Sequence, residues 1–244
     1  MSYDGLRERV CAANLEISRM KLSILTWGNA SEVDRRAGVF AIKPSGVDYD
    51  SLTPDEISVV DIGSGKQVTG VLKPSSDTET HLQLYNKFPD IGGIVHTHSE
   101  CATAWAQAYR DIPCLGTTHA DVFYGSVPCT RPLTEEEVKG DYELNTGRVI
   151  VGHFKDNGLN PAERPGVLVG GHGPFTWGVN AMDAVTNAIM LEALAKMAAT
   201  TLSLNPNAKV LEDYLLDSTI CVNTGAMHIM VMAPPRGVEP LFSG

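Results

Sequence analysis

Apolar residues recur at helical spacing in several stretches, and the first stretch lies near the start of the chain. Its apolar positions are Leu6, Val10, Ala13 and Ile17. This pattern predicts an amphipathic helix over residues 6–21. Two more helices should open at the capping-box sequences Ser76–Glu79 and Thr134–Glu137. A helix is also expected over about 99–108, and the longest over about 182–202, where the apolar face is wide enough to be buried on more than one side.

Short apolar runs bounded by turn residues predict the strands. Leu25–Ser31 should pair with Gly38–Lys43, and Ile57–Ile62 with Gln67–Val71. Gly166–Val169 has the composition of a buried strand. Hairpins and helices alternate without a regular βαβ rhythm, and no linker or internal repeat divides the chain. We therefore expect one domain with a mixed or antiparallel sheet covered by helices.

Histidines stand at the ends of two of the apolar runs. His96 and His98 should project from the same face of a strand, because side chains at i and i+2 share a face. His172 follows the buried strand between two glycines, which would let a metal or ligand approach closely. Three imidazoles are enough for a catalytic zinc site, although a pair of partly buried histidines has an ordinary structural explanation too. Asp77 is either a fourth ligand or a helix-start residue, and His119 is better explained as a structural histidine.

Three stretches offer backbone donors for a phosphate group: Gly28-Asn29, Ser45-Gly46 and Ser75-Ser76. The last stands at a predicted helix start, where unpaired N–H groups and the helix dipole favour an anion. Each stretch alone is equally well explained as a plain turn or helix cap. The sequence has neither a Walker loop nor a Gly-x-Gly-x-x-Gly motif, so a nucleotide ligand is not expected.

Composition narrows the class of protein. The 244 residues are 43% hydrophobic and 20% charged, and the formal net charge is −10. An acidic chain is a poor match for nucleic acid, and no apolar run is long enough to span a membrane. The start of the chain lacks the apolar segment of a signal peptide. The five cysteines are scattered without a Cys-x-x-Cys pair, which favours a reducing, cytoplasmic location without disulfides.

Seven longer runs stand out along the chain: Thr26-Trp-Gly-Asn29, Lys43-Pro-Ser-Gly-Val-Asp48, Lys73-Pro-Ser-Ser-Asp77-Thr78, Gly92-Gly-Ile-Val-His-Thr-His98, Gly116-Thr-Thr-His-Ala-Asp121, Gly140-Asp-Tyr-Glu143 and His172-Gly-Pro-Phe175. Together they resemble the L-ribulose-5-phosphate 4-epimerases, a branch of the class II aldolase/adducin family. The resemblance spans roughly residues 5–217 and is far more specific than any single motif.

The resemblance implies a single-domain α/β/α sandwich with a largely antiparallel central sheet. It also implies a homotetramer with active sites between subunits. The implied reaction inverts a phosphorylated ketopentose, L-ribulose 5-phosphate, to D-xylulose 5-phosphate by cleaving and re-forming the C3–C4 bond, a step of arabinose-type pentose catabolism. The implied cofactor is zinc, and manganese or cobalt could occupy the same nitrogen and oxygen ligands.

The family's functional positions map onto this chain residue by residue. Zinc would be held by His96, His98 and His172 with Asp77 beside them, and aspartate rather than glutamate at that place favours the epimerase branch over the aldolases. Asp121 would be one of two acid/base residues, acting in a neighbouring subunit's site. The substrate and phosphate site would be formed by Gly28, Asn29, Ser45, Gly46, Ser75 and Ser76, with Lys43, Thr117 and Glu143 in support.

The likeness stops after Asp217, so we divide the chain into a family domain, 1–217, and a divergent tail, 218–244. The family's second acid/base residue is a tail tyrosine, but here Ile229 and Met230 stand in its place, and neither can transfer a proton. The codons AAG CAC TAT CTG CGT AAA CAC, which spell the family's Lys-His-Tyr-Leu-Arg-Lys-His, give Ser-Thr-Ile-Cys-Val-Asn-Thr when read one nucleotide late. Residues 218–224 have this sequence. We therefore hypothesise that a frameshift arose in the gene, in the clone or in the recorded sequence. An intact reading frame in the resequenced DNA would refute it.

Two other functions follow from the same residues. A class II aldolase acting on a related sugar phosphate would use the same metal site and release the cleaved fragments. An adducin-like interaction module would have the fold without the chemistry, and it would bind no metal.

Overall fold

The computed structural model describes residues 2–219. Its strands are β1 (Asn29–Asp34), β2 (Val39–Ile42), β3 (Ser58–Asp61), β4 (Gln67–Thr69), β5 (Gly93–His96), β6 (Gly166–Leu168) and β7 (Pro174–Gly178). Its helices are α1 (Asp4–Arg19), α2 (Thr78–Lys87), α3 (Glu100–Gln107), α4 (Thr117–Ala120), α5 (Glu135–Lys139), α6 (Tyr142–Asp156), α7 (Ala181–Leu204) and α8 (Asp213–Thr219). None of these helices has the length and apolar character needed to cross a membrane.

The strands form one seven-stranded sheet in the order β4-β3-β2-β1-β5-β7-β6, and the strand pairs within it are antiparallel. Near its centre β1 pairs with β5, so that Asn29 lies opposite His96. On the other side of β5, His96 lies opposite Phe175 of β7. The register therefore places His96, the first predicted metal ligand, between an asparagine on one neighbouring strand and a phenylalanine on the other.

Helices cover both faces of the sheet. On one face α2 and α6 pack over a core that contains Phe40, Ile94 and Phe175. On the other face α1 and α7 pack over a core that includes Val95. Because neighbouring strand residues point to opposite faces, His96 shares the face of Ile94. The histidine is therefore directed to the side of the sheet where α2 and α6 lie.

The predicted fold class, a single-domain α/β/α sandwich with a largely antiparallel central sheet, is confirmed. One predicted strand was misplaced at its start: β1 begins at Asn29 rather than at Leu25. Leu25 and Gly28 have φ values of 53° and 84°, outside the extended region, so the chain turns there before it enters the sheet. The predicted helix after Ser76 does form, but Asp77 is its N-cap and makes no side-chain capping bond. The capping box at Thr134–Glu137 is present.

Candidate metal centre

Three imidazole rings converge at one end of the sheet. The ring centroids of His96 and His98 are 4.9 Å apart, and those of His172 are 4.8 Å and 5.1 Å from them. One nitrogen from each ring lies within 4.8 Å of the others. The Nε2 atoms of His96 and His98 are 3.2 Å apart, close to the roughly 3.3 Å that separates two nitrogens bound tetrahedrally to one zinc ion. The donor set therefore fits a divalent metal with three protein nitrogens.

The three histidines reach this place by different routes. His96 ends β5, whereas His98 lies in the loop beyond it, so the pair is not on a continuous strand as the i, i+2 pattern suggested. His172 lies in the tight turn between β6 and β7, where its N–H donates to the Val169 carbonyl at 2.9 Å. Gly171 takes a φ of 77° in this turn, which a glycine adopts without strain.

Neighbouring groups fix the orientation of His96. Its Nδ1 lies 2.9 Å from the Pro174 carbonyl oxygen and donates to it, because a carbonyl can only accept. The Phe175 ring stacks on the imidazole at a centroid distance of 4.1 Å and an interplanar angle of 15°. The Nδ1–H tautomer leaves the lone pair of Nε2 free to bind a metal.

All three imidazoles are held in the neutral form that metal binding requires. Burial, followed by the neighbouring His98, lowers the pKa of His96 to about 3. Burial, His96 and His98 together lower the pKa of His172 to about 3, against the opposing influence of Asp77. Burial also lowers the pKa of His98, again opposed by Asp77. The Asp77 carboxylate is thus close enough to act on two of the three rings.

Asp77 binds another predicted site residue rather than joining the histidine cluster itself. Its Oδ2 accepts a hydrogen bond from Asn29 Nδ2 at 2.7 Å, and the same amide nitrogen is 3.1 Å from Ser75 Oγ. The Oδ1 atom of Asn29 is buried and has no hydrogen-bond partner among residues 2–219. An unpaired buried acceptor is costly, so this oxygen is suited to a donor on a bound ligand.

The predicted phosphate stretches lie next to one another. A bridge joins Pro44 to Pro74, the Ser45 N–H donates to the Lys73 carbonyl at 2.9 Å, and the Ser75 N–H donates to the Lys43 carbonyl at 3.0 Å. Ser75 also contacts Asn29, so the Gly28-Asn29 stretch joins the same group. The structure therefore brings together three stretches that the sequence could only suggest one at a time.

Gly28 is needed where these stretches meet β5. A Cβ atom at this position would lie 2.9 Å from the carbonyl oxygen of His96, and the residue has a φ of 84°. Both facts exclude a larger residue without movement of the backbone. The glycine allows the turn to lie directly against the strand that carries His96.

Lys43 is a buried structural cation beneath this group. Its Nζ donates to the Val47 carbonyl at 2.6 Å and lies 4.6 Å from the centroid of the Tyr49 ring. Burial lowers its pKa to about 8, against the opposing charge of Asp48. These contacts hold the turn at Ser45 and Gly46 in place; a role of Lys43 in the substrate site stays a prediction.

Asp121 lies away from the histidines of its own chain. Together with Val122, Phe154 and Trp177 it lines a cavity of about 1040 Å³ that extends to Gly178 and beyond. The cavity thus lies at the end of β7, whereas His172 precedes the start of that strand. Its mainly apolar lining makes it a different environment from the polar metal centre.

Three other residues named from the sequence have clear places in the structure. Thr117 is exposed in the first turn of α4, and Glu143 is half-buried in the first turn of α6. His119 is buried, and its Nε2 donates to the Gly125 carbonyl at 2.9 Å. His119 therefore holds its own loop, in agreement with the structural explanation. The tail positions Ile229 and Met230 lie outside the described residues.

Two residues near the three histidines were not predicted from the sequence. Tyr142 places its hydroxyl 3.4 Å from His172 Nδ1. His81 is fully buried on α2, with Nδ1 2.7 Å from Ser31 Oγ. Tyr142 stands beside Glu143 in one of the family-like runs, which was the available signal. His81 has no informative neighbours in the sequence, because its contacts come from a distant strand.

Comparisons with known proteins bear on the family and the fold of this chain. The family model described as Class II Aldolase and Adducin N-terminal domain matches residues 8–199. A solved L-fuculose 1-phosphate aldolase is 25% identical, with a TM-score of 0.75, and the match covers 90% of this chain and 96% of that one. L-fuculose-1-phosphate aldolase from Thermus thermophilus is 21% identical, with a TM-score of 0.64, coverage being 84% and 98%. YgbL from Escherichia coli, described as an aldolase/epimerase/decarboxylase candidate, is 22% identical, with a TM-score of 0.68 and coverage of 89% and 98%.

Proposed function

The chain belongs to the class II aldolase and adducin N-terminal domain family, and on that premise we propose that it is a zinc-dependent L-ribulose-5-phosphate 4-epimerase. The observation that carries the proposal is the convergence of three imidazoles beside a group of turns suited to phosphate. His96 lies opposite Asn29 in the sheet, and Asn29 bonds to Ser75 and Asp77. In this proposal, one asparagine joins the metal site to the anion site.

In the proposed mechanism His96, His98 and His172 would hold a divalent cation through their ring nitrogens. A cation held there would supply a Lewis acid for the oxygens of a sugar phosphate. Asp77 accepts a hydrogen bond from Asn29, and its negative charge favours a cation nearby. We also propose that its carboxylate is a fourth ligand of the metal. The unpaired Oδ1 of Asn29 accepts a hydrogen bond from a substrate hydroxyl.

The turns at Gly28, Ser45 and Ser75 anchor the phosphate group in this proposal. Because the phosphate stays bound, the phosphorylated fragment remains in the site after cleavage. Its aldehyde group can then rotate to present its other face. Trp27 is 54% exposed, and its ring centroid is 5.7 Å from that of His98. We propose that this exposed ring, beside His98, forms a wall of the sugar site.

Proton transfer is the step for which this chain is least well equipped. We propose that Asp121 is one acid/base residue and that it serves the site of a neighbouring subunit in a homotetramer. The second residue of the family is a tyrosine in the tail, where this sequence has Ile229 and Met230. Loss of one proton-transfer group typically costs about 10²–10⁴-fold in rate. We therefore expect slow epimerisation, with bond cleavage better preserved because the metal ligands precede the tail.

The test is to supply L-ribulose 5-phosphate and follow D-xylulose 5-phosphate with a coupled assay, with and without a chelator. The same assay is run on a chain whose tail frame is restored. We expect slow, chelator-sensitive product formation by this chain and a gain of about 10²–10⁴-fold on restoration. Product formed equally well in the presence of chelator, or by a His98→Ala variant, would contradict the proposal.

The second candidate is a class II sugar-phosphate aldolase. The similarity to L-fuculose 1-phosphate aldolase, at 25% identity over 90% of this chain, favours it. The two functions are separated by also measuring the cleaved fragments, and the comparison is made on the chain whose tail frame is restored. An aldolase accumulates the two cleaved fragments, whereas an epimerase returns an intact pentose phosphate and releases no fragments at steady state.

A further inference from the structure

Tyr142 is the first residue of α6, and it reaches the metal centre from outside the histidine set. Its hydroxyl oxygen lies 3.4 Å from Nδ1 of His172, and the two ring centroids are 5.8 Å apart. This separation exceeds the roughly 2.7–3.2 Å of a typical N–H···O bond. A movement of a few tenths of an ångström would complete it.

The position of Tyr142 is set by the packing of α6 on α2. Thr80 Oγ1, on α2, donates to the carbonyl oxygen of Glu143 at 2.6 Å and so fixes the first turn of α6. One turn further on, Gly147 lets the two helices approach closely, because a Cβ there would lie 2.7 Å from Gln83 Cβ. Since α2 also carries Asp77 at its start, the helix pair delivers both residues to the same end of the sheet.

The tautomer of His172 decides whether it can bind a metal. An imidazole that uses Nε2 as a ligand must carry its proton on Nδ1, and that N–H then needs an acceptor. For His96 the acceptor is the Pro174 carbonyl. For His172 the group beside Nδ1 is the hydroxyl of Tyr142, and a phenol oxygen can accept such a bond.

We propose that Tyr142 is a positioning residue that accepts a hydrogen bond from His172 Nδ1–H and thereby presents Nε2 to the metal. The proposal rests on the metal centre of the proposed function, but it does not depend on which sugar phosphate is the substrate. It assigns Tyr142 no contact with the reacting atoms. Removal of such an outer hydrogen-bond partner typically lowers metal affinity by about 10–100-fold.

The test compares Tyr142→Phe with the unaltered full chain and with a control, Tyr214→Phe. Tyr214 lies on α8 and is 71% exposed. The dissociation constant for Zn²⁺ is measured by competition with a chelator of known affinity. We expect Tyr142→Phe to weaken binding by about 10–100-fold and Tyr214→Phe to leave it unchanged. Equal zinc affinity in all three proteins would overturn the proposal.

A second measurement needs no variant to fold. Nitrogen-15 NMR of the histidine rings in the metal-free, unaltered protein reports which nitrogen of His172 carries the proton. We expect the proton of the His172 ring to be on Nδ1 in the unaltered protein. An Nε2–H ring in the unaltered protein would refute the proposal. If the unaltered protein binds no zinc at all, the proposed metal centre is wrong. The NMR result then still shows whether His172 Nδ1 carries the proton that Tyr142 is proposed to accept.

Discussion

At the scale of single residues, Gly173 is what allows His172 to stand beside the other imidazoles. A Cβ atom at position 173 would lie 2.9 Å from the Thr97 carbonyl oxygen and 3.7 Å from His96 Cε1. The first of these neighbours is backbone, which cannot move aside as a flexible side chain can. The turn between β6 and β7 therefore approaches the His96–His98 segment only because position 173 has no side chain.

We predict that Gly173→Ala displaces the His172 turn and weakens zinc binding by at least about 10-fold, comparable to the loss of a partner that orients a ligand. Zinc titration monitored by chelator competition measures the effect. The control is Gly116→Ala, where the backbone is extended with a φ of −168° and no atom of the described residues lies within 4 Å of the added Cβ. Equal zinc affinity in the two variants would show that the turn adapts without cost.

At the scale of elements, the contact between α2 and α6 positions the residues on one side of the metal centre. Both helices pack on the sheet face that also holds Phe175, the ring stacked on His96. Two glycines of α6 are in opposite situations. Gly147 faces α2, and a methyl group added there would lie 2.7 Å from Gln83 Cβ. A methyl group added at Gly152 would meet no atom of residues 2–219 within 4 Å beyond the backbone of its own helix.

These two glycines make a matched pair for a stability measurement. We predict that Gly147→Ala lowers the free energy of unfolding by about 1–3 kcal/mol, because the added methyl group overpacks the helix contact. Gly152→Ala should raise it by about 0.5–1 kcal/mol, because alanine is the better residue in a helix interior. Urea denaturation gives both values. If both substitutions changed the free energy of unfolding in the same direction, the close packing at Gly147 would not be what distinguishes the two positions.

At the scale of the whole molecule, the metal centre and Asp121 lie at different places in one chain. The histidines gather before β7 begins, and Asp121 lines the cavity that extends past Gly178, where β7 ends. If Asp121 transfers protons, a second copy must supply it to each site. Catalysis would then require assembly, because the Asp121 of each chain lies away from the three histidines of that same chain.

Mixing two defective variants tests this arrangement. His96→Ala and Asp121→Asn should each be inactive alone, and subunit exchange at equal amounts should restore roughly one quarter of the activity of the unaltered protein. That fraction follows from random pairing of two equally abundant subunits across a shared site. C3–C4 cleavage of L-ribulose 5-phosphate is the activity to measure. Mixtures no more active than the separate variants, despite demonstrated exchange, would place Asp121 outside a shared site.

The order and type of most elements could be predicted from local patterns. Apolar spacing located α1 and α7, turn residues located the hairpins, and a capping box located α5, because each pattern reports which face of a short segment meets the core. The start of β1 was predicted too early. The apolar run at Leu25 looked like a strand, but Leu25 and Gly28 adopt positive φ values there.

The sequence by itself determined which residue types were available: three histidines near strand ends, an aspartate at a helix start, and small residues in the turns. The tertiary structure alone decided that His172 meets His96 and His98, that Asn29 binds Asp77, and that Tyr142 reaches His172. The physical reason is the separation along the chain over which each feature is determined. Side-chain direction within a helix or strand follows from local geometry, whereas distances between segments far apart in the chain depend on helix packing and on close approaches that only residues such as Gly147 and Gly173 permit.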